Sequence, residues 1–350
     1  ELAFSAGINC FAGQNGGGKT NLLDAIHYLS LCKSYFNPAD SQNILTDAPF
    51  FVIQGTFELE NEITIYCGVK RGQKKQFKLN NKEYEKLADH IGLLPLVMIA
   101  PIDILLIIEG SEERRRLIDG IISQYDKEYL ESLISYNKIL SQRNSYLKQL
   151  SQQKNIDKAM LEVYDEQLVP LASIIFEKRK DFLDEFIPVF KNYYSYIADN
   201  SEEVGISYES QLSEKSMDVL LQEMLNKDLA LQYTSVGIHK DNLDFTIKNM
   251  SVKKFASQGQ QKSFLIALKL AQFEFIKKIK GLKPILLLDD IFDKLDEQRV
   301  GKLMRLVANG EFGQVFITDT NENRVWEMFN DIDVPIKMFE VKDGIVNETN

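Results

Sequence analysis

Cysteine, histidine and tryptophan are scarce in this sequence of 350 residues, which has 3 cysteines, 3 histidines and 1 tryptophan. The cysteines, Cys10, Cys32 and Cys67, are too few and too widely spaced for a disulfide framework or a zinc site. We therefore expect reduced, buried thiols in a cytosolic protein. Trp326 and the scattered tyrosines show no stacking pattern of the kind that binds single-stranded nucleic acid.

The sequence also lacks an apolar run long enough to cross a membrane. The longest apolar stretch, residues 91–108, is interrupted by Pro95, Pro101 and Asp103, whereas a spanning helix needs about 20 predominantly apolar residues. The first residues, ELAFSAG, have neither the basic start nor the apolar core of a signal peptide. We therefore expect a cytoplasmic protein with no membrane partner.

Positive charge is in deficit, since 41 Lys and Arg residues face 51 Asp and Glu residues and the formal net charge is −10. This balance argues against a nucleic-acid binder, although a net charge does not describe one face of a molecule. Residues 70–86, which we call the basic ribbon, nevertheless hold seven basic and two acidic side chains. A solvated hairpin and a phosphate contact both fit this segment. The candidate contacts are Lys70, Arg71, Lys74, Lys75 and Lys78.

A glycine-rich segment near the start of the chain carries the clearest chemical signal. Its eight residues match the phosphate-loop pattern G-x-x-x-x-G-K-[ST]: Gly13, Gln14, Asn15, Gly16, Gly17, Gly18, Lys19 and Thr20. Such a loop turns backbone N–H groups toward phosphate oxygens, while Lys19 reaches the β- and γ-phosphates and the Thr20 hydroxyl binds Mg²⁺. The helix that follows adds the positive end of its dipole. The motif predicts a nucleoside triphosphate site but not the class of enzyme.

An acidic motif lies far along the chain, where the apolar run 285–288 ends in Asp289 and Asp290. In phosphate-loop enzymes an acid in this place holds Mg²⁺, so we assign Asp289 to the metal and Asp290 to the general base. Lys19 and Asp289 are 270 positions apart. A large insertion must therefore split the ATPase core. Small-molecule kinases, the first alternative, keep the two motifs much closer.

A third motif opens a predicted helix before the acidic strand and consists of Ser257, Gln258, Gly259 and Gln260. It is similar to the S-G-G-Q signature of ABC-type ATPases, whose serine and helix N-terminus contact the γ-phosphate bound to a second subunit. Asp293 and Asp296 follow where that class has its D-loop. Taken alone, the segment also fits an ordinary helix cap.

The pattern of apolar residues divides the chain. Residues 1–105 and 231–350 alternate strand, loop and helix signals, and their continuous apolar runs predict a mixed sheet covered by helices. Residues 106–230 are helical in pattern, with a seam that predicts two antiparallel helices reversing near 152–155. We therefore predict an α/β fold, a split ABC-type P-loop ATPase head with an inserted helical domain that forms a short arm.

Together these motifs resemble the RecF family, bacterial recombination-mediator ATPases related to SMC head domains. The resemblance extends over nearly the whole chain and is most specific at SQGQQ (257–261) and at the pair Asp289 and Asp290. It implies a homodimer that sandwiches two ATP molecules with Mg²⁺ and that binds double-stranded and gapped DNA near the nucleoid. It also implies weak, DNA-stimulated ATP hydrolysis, the partners RecR and RecO, and a role in recombinase loading and the SOS response.

Two departures from the family pattern bear on mechanism. The turn that is usually Pro-Glu-Asp is Pro101-Ile102-Asp103 here, so any role of its glutamate is lost. The position of the switch histidine of many ABC ATPases is filled by Thr318-Asp319-Thr320, and we therefore expect slow turnover. The second alternative, an ABC transporter subunit, would need that histidine, a glutamine-containing loop and a membrane partner.

Overall fold

A computed structural model describes residues 1–150, 159–198, 202–291, 297–308, 310–320, 324 and 334–349, and the structural statements below concern these residues. The strands are β1 (Ile8–Ala12), β2 (Phe50–Glu58), β3 (Glu62–Lys70), β4 (Gln76–Leu79), β5 (Lys82–Glu83), β6 (Leu96–Ile99), β7 (Val204–Glu209), β8 (Asn242–Ile247), β9 (Met250–Ser251), β10 (Ile285–Leu288), β11 (Val315–Asp319), β12 (Ile336–Lys342) and β13 (Ile345–Thr349). The helices are α1 (Lys19–Leu31), α2 (Leu105–Ile108), α3 (Ser111–Ser123), α4 (Lys127–Leu150), α5 (Ala159–Ile197), α6 (Met217–Leu231), α7 (Val252–Phe255), α8 (Gln258–Lys280) and α9 (Glu297–Ala308).

The chain forms two compact units. One holds residues 1–104, 196–199 and 262–350, with the gaps given above, and the other holds 105–195 and 200–261. The predicted end of the insertion at residue 230 therefore needs correction to 261. The reason is strand pairing: β7, which lies in a region predicted to be helical, forms an antiparallel sheet with β8 and β9.

The first unit is built on a six-stranded sheet in the order β13-β12-β1-β11-β10-β6. Every neighbouring pair is parallel except β12 and β13, which form a hairpin at one edge. Strands β1, β6, β10 and β11 are almost wholly buried, as their continuous apolar runs predict. Helix α1 packs on this sheet through Leu23 and Ile26, which join Phe11, Leu287 and Phe316 in one core cluster.

A separate antiparallel sheet, β2-β3-β4-β5, belongs to the same unit. Its strand β3 alternates, with Ile65, Cys67 and Val69 buried and the intervening side chains more exposed. The buried side packs against Tyr28 and Leu29 of α1. The basic ribbon therefore lies on a sheet with one solvated face, which leaves its outward side chains available to a ligand.

The second unit contains the long helices α4 and α5, whose predicted reversal near 152–155 lies outside the described residues. Two buried arginines organise its interior. Arg179 of α5 is 1% exposed and pairs with Asp119 (2.9 Å) and Asp241 (2.8 Å). Arg143 of α4 is fully buried and pairs with Asp228 at 2.9 Å. These ion pairs fix the helices against the loop that leads into β8.

No helix among the described ranges has the length and hydropathy that crossing a membrane requires. Of the interruptions within 91–108, Pro95 directly precedes β6, whereas Pro101 and Asp103 lie in the short turn Pro101–Ile104 that follows it. The apolar residues of this stretch serve the core of the first unit, where Leu96, Val97 and Met98 are buried.

Arg179→Met should lower the free energy of unfolding by about 3–5 kcal/mol, because the buried Asp241 and the partly buried Asp119 would lose their cation. Arg116→Met is the matched control, since Arg116 is 63% exposed and pairs with Glu112 and Glu113 at the surface. Its cost should stay within about 1 kcal/mol. Urea unfolding of both variants measures the difference, and equal midpoints would contradict the structural role assigned to Arg179.

Candidate nucleotide site

The phosphate loop and the acidic motif lie at one edge of the six-stranded sheet. The loop follows β1, Asp289 and Asp290 follow β10, and Thr318 lies near the end of β11. Because β1, β11 and β10 are parallel neighbours, their carboxyl ends meet at the same edge, which is where α/β sheets bind ligands. A hydrogen bond of 3.2 Å from the Gly13 N–H to the Asp319 carbonyl joins the loop to β11.

The phosphate loop has a backbone shape that depends on glycine. Gly16 (φ +83°) and Gly18 (φ +105°) lie in the left-handed region that other residues rarely adopt. A Cβ on Gly13 would lie only 2.1 Å from the carbonyl oxygen of Val341, at the end of β12. The hairpin β12–β13 also donates the Gly344 N–H to the Gly17 carbonyl at 3.0 Å. The β12–β13 hairpin therefore packs against the phosphate loop and supports its backbone.

Lys19 begins α1 and is almost fully buried, at 7% exposure. Its ammonium donates to the backbone carbonyls of Gly13 (2.6 Å) and Gln14 (2.9 Å). The positive charge is thus held within the loop, beside the free N-terminus of a 13-residue helix. A nucleoside triphosphate fits this set of groups, because cation, helix dipole and glycine backbone all favour bound phosphate.

Thr20 and Asp289 supply the oxygen atoms that a magnesium ion would require. The Thr20 hydroxyl lies 3.0 and 3.1 Å from the two carboxylate oxygens of Asp289, and the Thr318 hydroxyl donates to the same carboxylate at 2.8 Å. Burial raises the pKa of Asp289, and the hydrogen bonds from Thr318 and Thr20 oppose that rise. Mg²⁺ is usually held by one or two such protein oxygens together with substrate phosphates, so the pair fits this ion.

Metal binding by side chains alone is not indicated in the part of the chain that the structure describes, because it contains no group of three or more His, Cys, Asp or Glu residues suited to an ion. The predicted magnesium site accordingly depends on phosphate oxygens as additional ligands. Metal and nucleotide should therefore bind together.

Asp290, the predicted general base, has an unusual backbone. Its φ of +46° lies in the left-handed region, and its N–H donates to the Thr318 hydroxyl at 2.9 Å. A residue held in this strained region is typical of functional sites. A mostly apolar cavity of about 260 Å³ lies beside it, lined by the end of β6, by α8 and by Lys262 and Ile291. Asp290 is thus carried on a fixed turn at the mouth of a cavity.

Sequence reasoning missed a buried ion pair at the Pro101-Ile102-Asp103 turn. Asp103 and Lys269 of α8 are each 5% exposed and lie 2.9 Å apart. The Asp103 carboxylate also accepts from the Ala100 N–H at 2.8 Å and from the Tyr35 hydroxyl. The aspartate of this turn therefore anchors α8 to the end of β6. The helical spacing of Leu265, Leu268 and Phe275 predicts that Lys269 lies on the outer face of α8. This prediction is wrong, because Lys269 is buried.

The signature motif begins α8, which starts at Gln258. Ser257 and Gln260 cap the helix reciprocally: the Ser257 N–H donates to the Gln260 side-chain oxygen at 2.7 Å, and the Gln260 N–H donates to the Ser257 hydroxyl at 3.2 Å. Ser257 and Gln258 are exposed, and Gly259 is half-buried. The same residues can therefore form a helix cap and also serve as a signature motif.

The basic ribbon divides into free and engaged side chains. Lys70 and Lys74 are exposed, and Lys78 lies with its ammonium 5.2 Å from the centre of the Tyr66 ring on the outward face of the sheet. Arg71 is tethered, because its guanidinium donates to three backbone carbonyls of the loop before β2 at 3.3–3.4 Å.

Lys75 is the one candidate contact that needs correction. Its side chain is only 12% exposed, and its ammonium pairs with Asp40 at 2.9 Å and donates to the Cys32 carbonyl at 2.6 Å. It stabilises the packing of the antiparallel sheet on α1 and offers no charge to a ligand. Asp293 and Asp296, the predicted D-loop residues, lie outside the described residues.

This chain is similar to known proteins over nearly its whole length. Residues 1–347 match the family described as the RecF/RecN/SMC N terminal domain. The DNA replication and repair protein RecF of Flavobacterium johnsoniae is 53% identical over 340 residues, which cover 97% of this chain and 94% of that protein. The RecF protein of Bacteroides thetaiotaomicron is 50% identical over 350 residues, covering 99% and 94%.

Solved structures show the same similarity in three dimensions. The recombination mediator protein RecF-ATP of the RecFOR pathway superimposes with a TM-score of 0.90 at 30% identity. The alignment covers 100% of this chain and 93% of that chain. Two segments described above, the glycine loop and the strand that ends in Asp289, therefore belong to an ATPase head of the ABC type.

Proposed function

The chain belongs to the RecF family of DNA replication and repair proteins, and we propose that it acts there as an ATP-dependent switch that closes into a homodimer on DNA. The observation that carries the proposal is the contact of Thr20 with Asp289 at 3.0 Å beside the buried Lys19. This contact joins the phosphate loop to the acidic strand end, the two places from which P-loop NTPases hold the magnesium ion of a bound nucleotide.

ATP would supply the phosphoryl group whose hydrolysis resets the switch. Lys19 and the backbone N–H groups of the loop would bind the phosphates, while Thr20 and Asp289 would hold Mg²⁺, which would supply charge neutralisation there. Asp290 takes a proton from the attacking water as general base. Its left-handed backbone conformation limits the positions that its carboxylate can reach, and a mostly apolar cavity lies beside it.

Turnover should be slow because the chain offers no imidazole where many ABC ATPases sense the γ-phosphate. Thr318 occupies that region and is engaged with Asp289 and the Asp290 N–H. The threonine therefore organises the acidic residues instead of contacting phosphate as a histidine would. A slow ATPase suits a switch, since the closed state must last long enough for partners to assemble.

Ser257 and the first turn of α8 complete the proposed site on a second copy of the chain. Their hydroxyl and N-terminal N–H groups form an anion-binding end, and Ser257 is exposed as this role requires. Each subunit would then supply a phosphate loop to one nucleotide and a signature motif to the other. ATP binding and dimerisation are coupled in this arrangement.

DNA binding is proposed for the outward face of the antiparallel sheet. Lys70 and Lys78 on this face and Lys74 in the adjoining turn offer positive charge, and contacts to phosphates need no base readout. The proposed ligands are double-stranded and gapped DNA at the nucleoid, and DNA should stimulate the weak ATPase. RecR, and RecO with it, are the proposed partners in loading recombinase.

Lys19→Ala should abolish ATP binding, since the buried ammonium is lost from the phosphate loop. Ser257→Arg should preserve ATP binding and abolish ATP-dependent dimerisation, because the added side chain fills the surface that meets the second subunit. Equilibrium nucleotide binding and sedimentation velocity measure the two steps separately. Dimerisation that ignores ATP and both substitutions would contradict the switch.

Mixing these two variants gives a control that neither provides alone. A mixed dimer carries both defects at one composite site and leaves the other site with a normal Lys19 and a normal Ser257. ATP turnover of the mixture should therefore exceed that of either variant. If turnover stays at the level of the separate variants, the two motifs do not act on one nucleotide from different subunits.

Lys70→Glu combined with Lys74→Glu should weaken duplex DNA binding and flatten its salt dependence, by about 0.9 in the logarithmic slope for each lost phosphate contact. Lys191→Glu is the matched control, since this exposed lysine lies on α5. Fluorescence anisotropy with ATP at several salt concentrations measures both quantities. Equal effects of the double variant and the control would exclude the ribbon as the DNA surface.

The two alternative functions make different predictions in the same assays. A small-molecule kinase would transfer phosphate to a metabolite and remain indifferent to DNA. A transporter subunit would co-purify with membranes. The described residues contain no observation that favours either alternative, and the signature motif is foreign to metabolite kinases.

A further inference from the structure

Gln260 of the signature motif has a second partner besides Ser257. Its side-chain N–H donates to the Glu202 carboxylate at 2.6 Å, while its side-chain oxygen accepts the Ser257 N–H at 2.7 Å. The two ends of one amide are therefore both engaged. Because the donor end is held by Glu202, the oxygen end must face Ser257.

Glu202 is itself held in place by a rigid part of the second unit. Its other carboxylate oxygen accepts the Tyr194 hydroxyl at 3.0 Å. Tyr194 lies in the last turn of α5 and is only 1% exposed. The Glu202 side chain is 13% exposed. The Glu202 carboxylate thus links the buried end of α5, through Tyr194, to the exposed signature motif.

The charge of Glu202 calls for an explanation, because a carboxylate beside a motif that meets phosphate would repel it. Lys248 lies 3.4 Å from the Glu202 carboxylate and offsets this charge. Burial alone would raise the pKa of Glu202, but the hydrogen bonds from Gln260 and Tyr194 and the charge of Lys248 outweigh it, and the pKa is lowered. The group is therefore an ionised acceptor with a local counter-charge.

We infer that Glu202 is a positioning residue of the signature motif: through the Gln260 amide it fixes the Ser257 cap in the orientation that receives the nucleotide of a second copy of this chain. The inference rests on the proposed function, since it assigns the motif a partner-bound phosphate. Glu202 does not contact the nucleotide. Because Glu202 holds the motif in one orientation before the subunits close, the motif loses less conformational entropy on dimerisation.

Glu202→Ala should leave ATP binding by the single subunit within about twofold of wild type, because the phosphate loop is untouched, and should weaken ATP-dependent dimerisation by about tenfold or more. That loss is the size expected for a hydrogen bond to a charged group. Glu202→Gln retains an acceptor for Gln260 and should stay within about threefold of wild type. Glu203→Ala is the matched control, since this neighbouring glutamate is exposed, and it should have no effect.

A double-mutant cycle separates positioning from general destabilisation. Gln260→Ala alone should weaken dimerisation as Glu202→Ala does, and the double variant should be no weaker than either single variant, because both remove one shared interaction. Additive losses would overturn the inference. Single-subunit ATP binding, together with thermal unfolding of each variant, confirms that the variants are folded and keeps the cycle interpretable if one of them is less stable.

Ser257→Arg in the same experiment distinguishes this inference from the proposed function. If Ser257→Arg abolishes ATP-dependent dimerisation and Glu202→Ala leaves it unchanged, the dimer mechanism stands and the role of Glu202 is wrong. If Ser257→Arg also has no effect, the signature motif does not meet a partner nucleotide and both proposals fail. Loss in both variants, with recovery in Glu202→Gln, supports the inference.

Discussion

The hydrogen bonds between Thr20 and Asp289 are the interaction on which the nucleotide site depends. They connect residues 269 positions apart and bind the start of α1 to the end of β10. Asp289 is 3% exposed, and a buried carboxylate is costly without hydrogen-bond donors. The threonines at positions 20 and 318 supply them. The order of β1, β11 and β10 in the sheet brings the two residues together. In the sequence, the long insertion lies between β1 and β10.

Charge is distributed in a way that the net value of −10 hides. The acids at 289 and 290 belong to the proposed magnesium and nucleotide site, where negative charge would have a function. The exposed lysines lie on a different sheet of the same unit, on its solvated face and in the turn between β3 and β4. An acidic protein can therefore still present positive charge to DNA, and closure into a dimer would bring two such faces to one ligand.

The local motifs can be predicted from the sequence, whereas the side chains that a residue contacts in the tertiary structure cannot. The phosphate loop, the strand 285–288 and the alternation in β3 follow from backbone requirements within a few residues. Lys75 and Lys269 could not be placed, because their partners Asp40 and Asp103 lie far away in sequence. The same reason hid Glu202, which is 58 positions from Gln260. The predicted insertion ends too early, at residue 230, because β7 has only a weak strand pattern in its sequence and is stabilised by pairing with β8.

The most direct test of the account is a cross-link between the phosphate loop of one subunit and the signature motif of another. The three native thiols are buried and burial raises the pKa of each, so their background reaction should be small. Subunits carrying Asn15→Cys and subunits carrying Gln258→Cys, both exposed positions, are mixed with a short thiol cross-linker. A nucleotide site shared between subunits should give mixed cross-linked dimers with ATP, and none without it. A yield that ATP does not change would contradict the shared site.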